Sequence, residues 1–149
     1  MKVHYKTKTA DEQELCAHLI KCKNNFNPPL DKTVNIKEYS IKLFDRSVTF
    51  EAWVNQSLAG VVAAYFNDYE NKLGFISNVS VCREFLGNGI ASELIKNCIN
   101  YGRENKFREI SLKVYKNNAS AIYLYDKFNF KITSNCGEHY EMKHILNDV

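Results

Sequence analysis

Three strand-like segments in the middle of the chain constrain its fold more than any other feature. Val48–Val54, residues 58–66 and residues 75–81 are rich in β-branched and aromatic side chains, which are typical of strands. Turn-forming residues separate them at 55–57 and at 67–71. Strands joined by short turns run antiparallel, so the segment predicts a meander and a sheet at the centre of the fold.

Helical patterns precede this meander. Thr9, with Glu12 three residues later, matches a capping box and predicts the start of a first helix. The prolines at 28 and 29 end it, because proline lacks an amide donor. Asn35 is expected to cap a second helix, with Glu38 as its capping partner.

The C-terminal half alternates between helix and strand patterns. Apolar residues recur at helical spacing from Ile90 to about Glu104. The remaining expected elements are a strand at 110–114, a short helix from the cap Asn118 to Phe128, and closing strands at 130–133 and 140–145. This order predicts a mixed α/β (α+β) fold, a single domain over residues 1–149 with one central, mostly antiparallel sheet flanked by helices.

Size and charge exclude several classes of function. The chain has 149 residues, which suits one compact domain, and a formal net charge of +3 that is scattered along the sequence. Nucleic-acid binding usually needs a basic stripe. No apolar run reaches the roughly 18 residues of a membrane helix, and residues 1–10 lack an apolar signal core. We expect a cytoplasmic protein that binds neither nucleic acid nor membrane; its state, monomer or homodimer, is left open.

The five cysteines predict neither a disulfide nor a metal. Their number is odd and no Cys-x-x-Cys pair occurs, which is typical of reduced thiols in a reducing compartment. Cys136 and His139 could supply two of the four ligands of a zinc site, but the sequence has no second pair at ligand spacing. No metal cofactor is therefore expected.

A glycine-containing loop, Leu86-Gly87-Asn88-Gly89-Ile90-Ala91, separates the third strand from the following helix. Glycines let a backbone approach a ligand closely, and amides at a helix N-terminus form an anion site. The alternative is a tight turn that binds nothing, and a short glycine motif does not decide between them. The loop is not a P-loop, because no Gly-Lys-Ser/Thr follows. It is a poor dinucleotide fingerprint, because the third glycine falls on Ser92.

The loop and its surroundings resemble the acetyl-CoA motif of the GNAT superfamily of N-acetyltransferases. Residues 79–91 are similar to a V-x-V strand followed by (R/Q)-x-x-G-x-(G/A), and residues 118–130 resemble the family's second motif, N-x-x-A-I-x-L-Y-x-K-x-G-F. The two motifs occur in the family's order and at its spacing. The resemblance covers about the whole chain, most strongly residues 75–130, and implies a GNAT-like fold with acetyl-CoA as cosubstrate.

The resemblance also implies roles for single residues. Tyr125 matches the family tyrosine near the cofactor sulfur, where a phenol can protonate the departing thiolate; otherwise it is one more aromatic on a helix. A backbone amide near Val81 would contact the thioester carbonyl. The acyl-CoA site implied by the resemblance comprises Val79, Val81, Gly87, Asn88, Gly89, Ile90, Ala91, Ser92 and Asn118.

Two departures from the motifs concern the site. Leu86 stands where the family has Arg or Gln, which removes a polar side chain near the pyrophosphate and leaves the backbone amides; Arg83 and Asn88 are the candidates to compensate. Lys113 stands where many relatives carry a glutamate base, and a lysine is a poor base unless desolvated. The general base remains open among Glu51, Glu70, Glu138 and His139. A milder departure is Asn129 in place of the glycine before Phe130.

These features predict an acetyl-CoA-dependent N-acetyltransferase. The amine attacked onto the thioester would belong to a small molecule, for example an amino sugar, or to a peptide. The alternative is a GNAT-fold module that binds acyl-CoA without transfer, favoured by Leu86 and the missing base. A nucleotide-binding α/β domain is a third reading. The acceptor pocket, which the family builds from residues 24–33 and 135–139 here, carries no diagnostic cluster.

Overall fold

Seven strands form one sheet in the computed structural model, which describes residues 1–147. The sheet order is β1-β2-β3-β4-β5-β7-β6. The strands are β1 (His4–Thr7), β2 (Val48–Val54), β3 (Ser57–Asp68), β4 (Leu73–Val81), β5 (Glu109–Tyr115), β6 (Lys131–Cys136) and β7 (His139–Ile145). The helices are α1 (Glu12–Cys22), α2 (Ile36–Arg46), α3 (Ile90–Glu104) and α4 (Ala119–Lys127). Over these residues no helix combines the length and apolar character that crossing a membrane requires.

The predicted meander is present as β2, β3 and β4. β2 has its predicted bounds, and β3 and β4 are longer than predicted by up to two residues at an end. Asn55 and Gln56 form the turn between β2 and β3, both with positive φ (50° and 65°). Two such residues are what a two-residue hairpin turn requires, because its twist must match that of the strands.

β4 and β5 form a parallel pair within this otherwise antiparallel sheet. Leu73 to Ile76 pair with Glu109 to Leu112 in register. β4 continues beyond the last paired residue to Val81, and β5 continues to Tyr115. β1 pairs with β2, and β7 with both β5 and β6, in antiparallel fashion. The predicted fold class, a mostly antiparallel central sheet with helices, is confirmed.

The described residues divide into two compact units. The first comprises Met1–Ala63 with Asn78–Leu94, and the second comprises Ala64–Ser77 with the chain from Ile95 onward. Each unit buries its own apolar set. Fully buried side chains of the first include Leu15, Leu19, Leu43, Phe50 and Ile90, and those of the second include Phe107, Ile110, Leu112, Phe130 and Met142. A single domain over residues 1–149 stays a prediction, and Asp148 and Val149 lie outside the described residues.

The predicted start of the first helix was wrong. Asp11, not Thr9, is the N-cap of α1: its side chain accepts from the Glu14 amide at 2.8 Å, and Glu14 accepts from the Asp11 amide at 3.0 Å. Thr9 instead donates to the carboxylate of Glu51. Both Thr9 with Glu12 and Asp11 with Glu14 match the capping signature, and the Glu51 contact selects the second. The helix also ends at Cys22, several residues before the prolines.

The remaining helix starts were predicted correctly. Asn35 caps α2 by accepting from the Glu38 amide at 3.0 Å, and Asn118 caps α4 in the same way.

The sequence analysis missed strand β1. All four of its residues are exposed, so its sequence has no alternation of apolar and polar residues to indicate a strand.

Candidate functional site

The loop between β4 and α3 exposes its backbone. Gly87 and Gly89 have φ of 82° and 75°, in the left-handed region that favours glycine. A Cβ atom added at either position would meet nothing within 4 Å. The Asn88 side chain folds back and donates to the Phe85 carbonyl at 3.0 Å. The two glycines therefore present an open stretch of main chain to any ligand.

The N-terminus of α3 begins where this loop ends. Ile90 is buried and packs against Gly60, where an added Cβ would lie 3.0 Å from the Ile90 Cγ2 atom. Ala91 and Ser92 are half-buried in the first turn. First-turn amides have no carbonyl partner within their own helix, and the helix dipole places positive charge at them. The structure thus places residues 87–92 at the exposed loop and first turn of α3, and their role as a backbone anion site stays a prediction.

The two polar side chains that could compensate for Leu86 both contact protein groups. Leu86 is 58% exposed. Arg83 donates to the Asn25 side chain at 3.2 Å, and Asn88 is held by Phe85. Both candidates for compensation thus bind protein groups, and Arg83 keeps its positive charge and its remaining guanidinium donors next to the backbone amides of the loop.

The end of β4 divides its residues between two faces. Val79 is half-buried and Val81 is buried. The Val81 carbonyl accepts from the Asn25 side chain at 3.2 Å, and the next amide, that of Cys82, donates to the Ala59 carbonyl at 2.8 Å. Successive strand residues point to opposite faces. Val79 and Val81 therefore share one face.

The second motif lies on α4, in the second unit. The Asn118 side chain accepts from the Ala121 amide at 3.2 Å and remains exposed. Tyr125 is 8% exposed, and its ring lies edge-on to Phe130 with centroids 6.0 Å apart. Burial raises the pKa of the Tyr125 phenol. Its hydroxyl has no hydrogen-bond partner within residues 1–147, so the phenolic proton is not committed to a protein acceptor.

Glu51, one of the candidate bases, is an internal anchor. Its carboxylate is fully buried and accepts from the amides of Thr9 (2.9 Å) and Ala10 (3.0 Å). It also accepts from the hydroxyls of Thr9 and Thr49, each at 2.5 Å, and from the Trp53 indole at 3.1 Å. With five donors around it, the carboxylate has no lone pair left for a substrate proton.

The other candidate bases lie in the second unit. Glu70 is exposed in the turn after β3, and Lys113 is exposed on β5. The Glu138 carbonyl accepts from the Lys116 amide at 2.9 Å, and the His139 ring lies 4.0 Å from the Tyr115 ring, centroid to centroid. Glu138 and His139 are therefore the two candidates held against the segment that leads into α4.

A buried polar cluster was missed by the sequence analysis. His18 and Cys22 on α1 lie against Asn78, Ser80 and Cys82, which are alternate residues along and just after β4. The pKa of the Cys82 thiol is lowered because Cys22 donates a hydrogen bond to it, and that of Cys22 is raised in turn. The only sequence signal was the spacing of His18 and Cys22, four residues apart on a helix and so on one face.

Comparison with known proteins gives a family and a fold. A model of the acetyltransferase (GNAT) family matches residues 13–130. None of the curated proteins matches the sequence. The PaiA N-acetyltransferase from Thermoplasma acidophilum, solved with coenzyme A, has a TM-score of 0.81 at 13% identity, over 97% of this chain and 99% of that one.

Two further solved structures are similar over nearly their full length. The ribosomal-protein-S18-alanine N-acetyltransferase from Escherichia coli has a TM-score of 0.81 at 15% identity, covering 99% of this chain and 96% of that one. An N-acetyltransferase from Staphylococcus aureus Mu50 has a TM-score of 0.77 at 19% identity, covering 99% and 100%. At these identities the likeness concerns the fold.

Proposed function

The chain belongs to the acetyltransferase (GNAT) family, and from that membership we propose that it transfers the acetyl group of acetyl-CoA to a primary amine. The observation that carries the proposal is the loop before α3. Its two glycines have positive φ, open space surrounds them, and the amides of a helix N-terminus follow directly. Such a surface suits a pyrophosphate, which needs donors and positive potential but no particular side chain.

The proposed cofactor site consists of the loop and its two flanking elements. The amides of residues 87–92 hold the pyrophosphate, with Ile90 fixing the loop on the core beneath it. Val79 and Val81 contribute main chain at the end of β4, which runs on past its pairing with β5. Asn118, which caps α4 in the second unit, stays a predicted cofactor contact.

The proposed reaction is direct attack by the amine nitrogen on the thioester carbon. An amide near Val81 stabilises the oxyanion, since a fixed dipole needs no reorganisation as charge develops. The carbon–sulfur bond then breaks and the thiolate takes a proton, for which the buried Tyr125 phenol is the proposed donor. The proton that the attacking nitrogen loses as the amide forms restores the phenol, directly or through water. The amine must lose a proton before attack, and Glu138 or His139, directly or through water, is the proposed acceptor.

The proposed acceptor is a primary amine of a small molecule, for example an amino sugar, or of a peptide. One similar structure is named for the alanine of a ribosomal protein, which is a peptide acceptor. In the first unit, the segment proposed to contact the acceptor is residues 24–33, which includes a short 3₁₀ turn at Leu30–Lys32. An amine of low pKa would need less help from a base.

A screen of thiol release from acetyl-CoA with a panel of amines tests the proposal. We expect at least one amino sugar, polyamine or peptide N-terminus to raise thiol release well above the hydrolysis background, with the acetylated amine found by mass spectrometry. Coenzyme A binding without transfer to any amine would instead favour the second candidate, an acyl-CoA-binding module. The exposed Leu86 in place of a polar residue is the observation in its favour.

A further inference from the structure

A buried thiol–histidine cluster lies in the first unit, apart from every role given above. It consists of His18 and Cys22 on α1 and of Asn78, Ser80 and Cys82 from β4 and the residue after it. All five side chains are buried. A strand face buried against a helix is normally apolar, because polar groups removed from water need partners. Here three alternate polar residues of the strand lie opposite a histidine and a cysteine, and they bond within the cluster and to the Leu58 carbonyl.

Three atoms of the cluster form a nearly equilateral triangle. The Cys22 and Cys82 sulfurs lie 3.9 Å apart, and the His18 Nδ1 atom lies 3.9 Å from the first and 3.7 Å from the second. The other ring nitrogen, Nε2, lies 3.8 Å from the Cys22 sulfur. Zinc binds sulfur at about 2.3 Å and nitrogen at about 2.0–2.1 Å, so tetrahedral ligands around one zinc ion are about 3.6–3.8 Å apart. A single ion can reach all three atoms with little movement.

The hydrogen bonds of His18 leave the correct nitrogen free for a metal. Ser80 Oγ donates to Asn78 Oδ1 at 2.9 Å, so its oxygen is left to accept from His18 Nε2, also at 2.9 Å. With its proton on Nε2, the ring has its lone pair on Nδ1, the nitrogen that lies within 3.9 Å of both sulfurs. Metal-bound histidines are generally oriented by such a bond from the other ring nitrogen.

We propose that His18, Cys22 and Cys82 bind one zinc ion through Nδ1 and two thiolates. Binding releases the two thiol protons to solvent. Three protein ligands leave the fourth position to a water molecule. His18 and Leu58 also line a cleft of about 210 Å³. The ion would fasten α1 to the end of β4, one residue from Val81. The site revises the expectation of no metal.

Zinc titration of the reduced protein (residues 1–149) against a chromophoric chelator tests this site. We expect one tightly bound equivalent, lost in Cys22→Ser and Cys82→Ser. Cys136→Ser removes an exposed cysteine and is the matched control, which should bind as the wild type does. Ser80→Ala removes the group that orients His18 and should weaken zinc binding by about 10- to 100-fold.

Cobalt(II) substitution of the wild-type protein provides a test that does not depend on a variant folding. Two thiolate ligands should give an intense sulfur-to-cobalt charge-transfer band, which one equivalent of zinc abolishes. The proposal is overturned if this band is absent, or if Cys82→Ser, folded by circular dichroism, keeps the wild-type zinc affinity. Neither outcome bears on acetyl transfer.

Discussion

Burial determines what Tyr125 can do. A phenol with a raised pKa stays protonated throughout the neutral range, so it can act as a proton donor and not as a base. Its hydroxyl donates to no acceptor among the described residues, so it is available to donate a hydrogen bond to a bound ligand. The thiolate of coenzyme A is a fair leaving group, so such a donor should accelerate the reaction without being essential to it.

Tyr125→Phe keeps the ring and its packing on Phe130 and removes only the hydroxyl. General acid catalysis typically contributes about 10²- to 10⁴-fold, and turnover should fall by that factor where chemistry limits the rate. Coenzyme A affinity should not change. Tyr123, exposed on the same helix, provides the control: Tyr123→Phe should be as active as the wild type. Wild-type turnover in Tyr125→Phe would return Tyr125 to a packing role.

His144 should make stability depend on pH. Burial lowers its pKa, its Nδ1 donates to the Phe128 carbonyl at 2.8 Å, and its buried Nε2 has no partner in residues 1–147. In the unfolded chain this histidine has an ordinary pKa near 6.5, so between this value and the lower folded pKa the unfolded state binds a proton that the folded state does not. The contribution of His144 is thus complete above about pH 6.5 and is lost as the pH falls toward the folded pKa.

Urea unfolding at pH 7.5 and pH 5.5 measures this effect. The wild type should lose more stability on acidification than His144→Gln, which cannot be protonated. His4→Gln alters an exposed histidine and should leave the wild-type pH dependence in place. Equal loss in the wild type and His144→Gln would contradict the assignment.

At the scale of elements, Glu51 fixes the start of α1 to the sheet. Its five donors come from the segment before the helix and from β2 itself. Glu51→Gln turns one acceptor into an NH₂ group that faces donors, and a charged acceptor is lost. We expect a loss of about 2–4 kcal/mol in the free energy of unfolding, measured by urea denaturation. Glu12→Gln, at an exposed position of α1, is the control, and an equal loss there would contradict this role.

The helix caps show which local features the sequence could predict. Asn35 and Asn118 were identified because each lies beside the amides it accepts from, so the interaction is local. Thr9 was assigned wrongly because its partner, Glu51, is 42 residues away. β1 was missed for a related reason: its pairing with β2 supplies the order that its exposed side chains do not. Features that depend on neighbouring residues could therefore be predicted from the sequence, and features decided by distant residues could not.

At the scale of the whole molecule, the same distinction separates the two candidate sites. The cofactor loop is contiguous, so its residues, its glycines and the following helix could be predicted together. The thiol–histidine cluster joins α1 to residues about sixty positions later, at a spacing that matches no sequence pattern. The family match over residues 13–130 and the fold support acyl-CoA chemistry, and they leave the acceptor to experiment.

Isothermal titration of coenzyme A into three loop variants tests the central claim, that backbone at Gly87 to Ala91 holds the cofactor. Gly89→Glu places a side chain and a negative charge in the anion site and should weaken binding at least about 100-fold. Gly137→Glu makes the same change at another exposed glycine with positive φ (68°), in the β6–β7 turn, and should bind normally. Leu86→Arg should bind as well as the wild type or modestly better, since an exposed charge contact contributes about 1 kcal/mol or less. Wild-type affinity in a folded Gly89→Glu protein would contradict the claim.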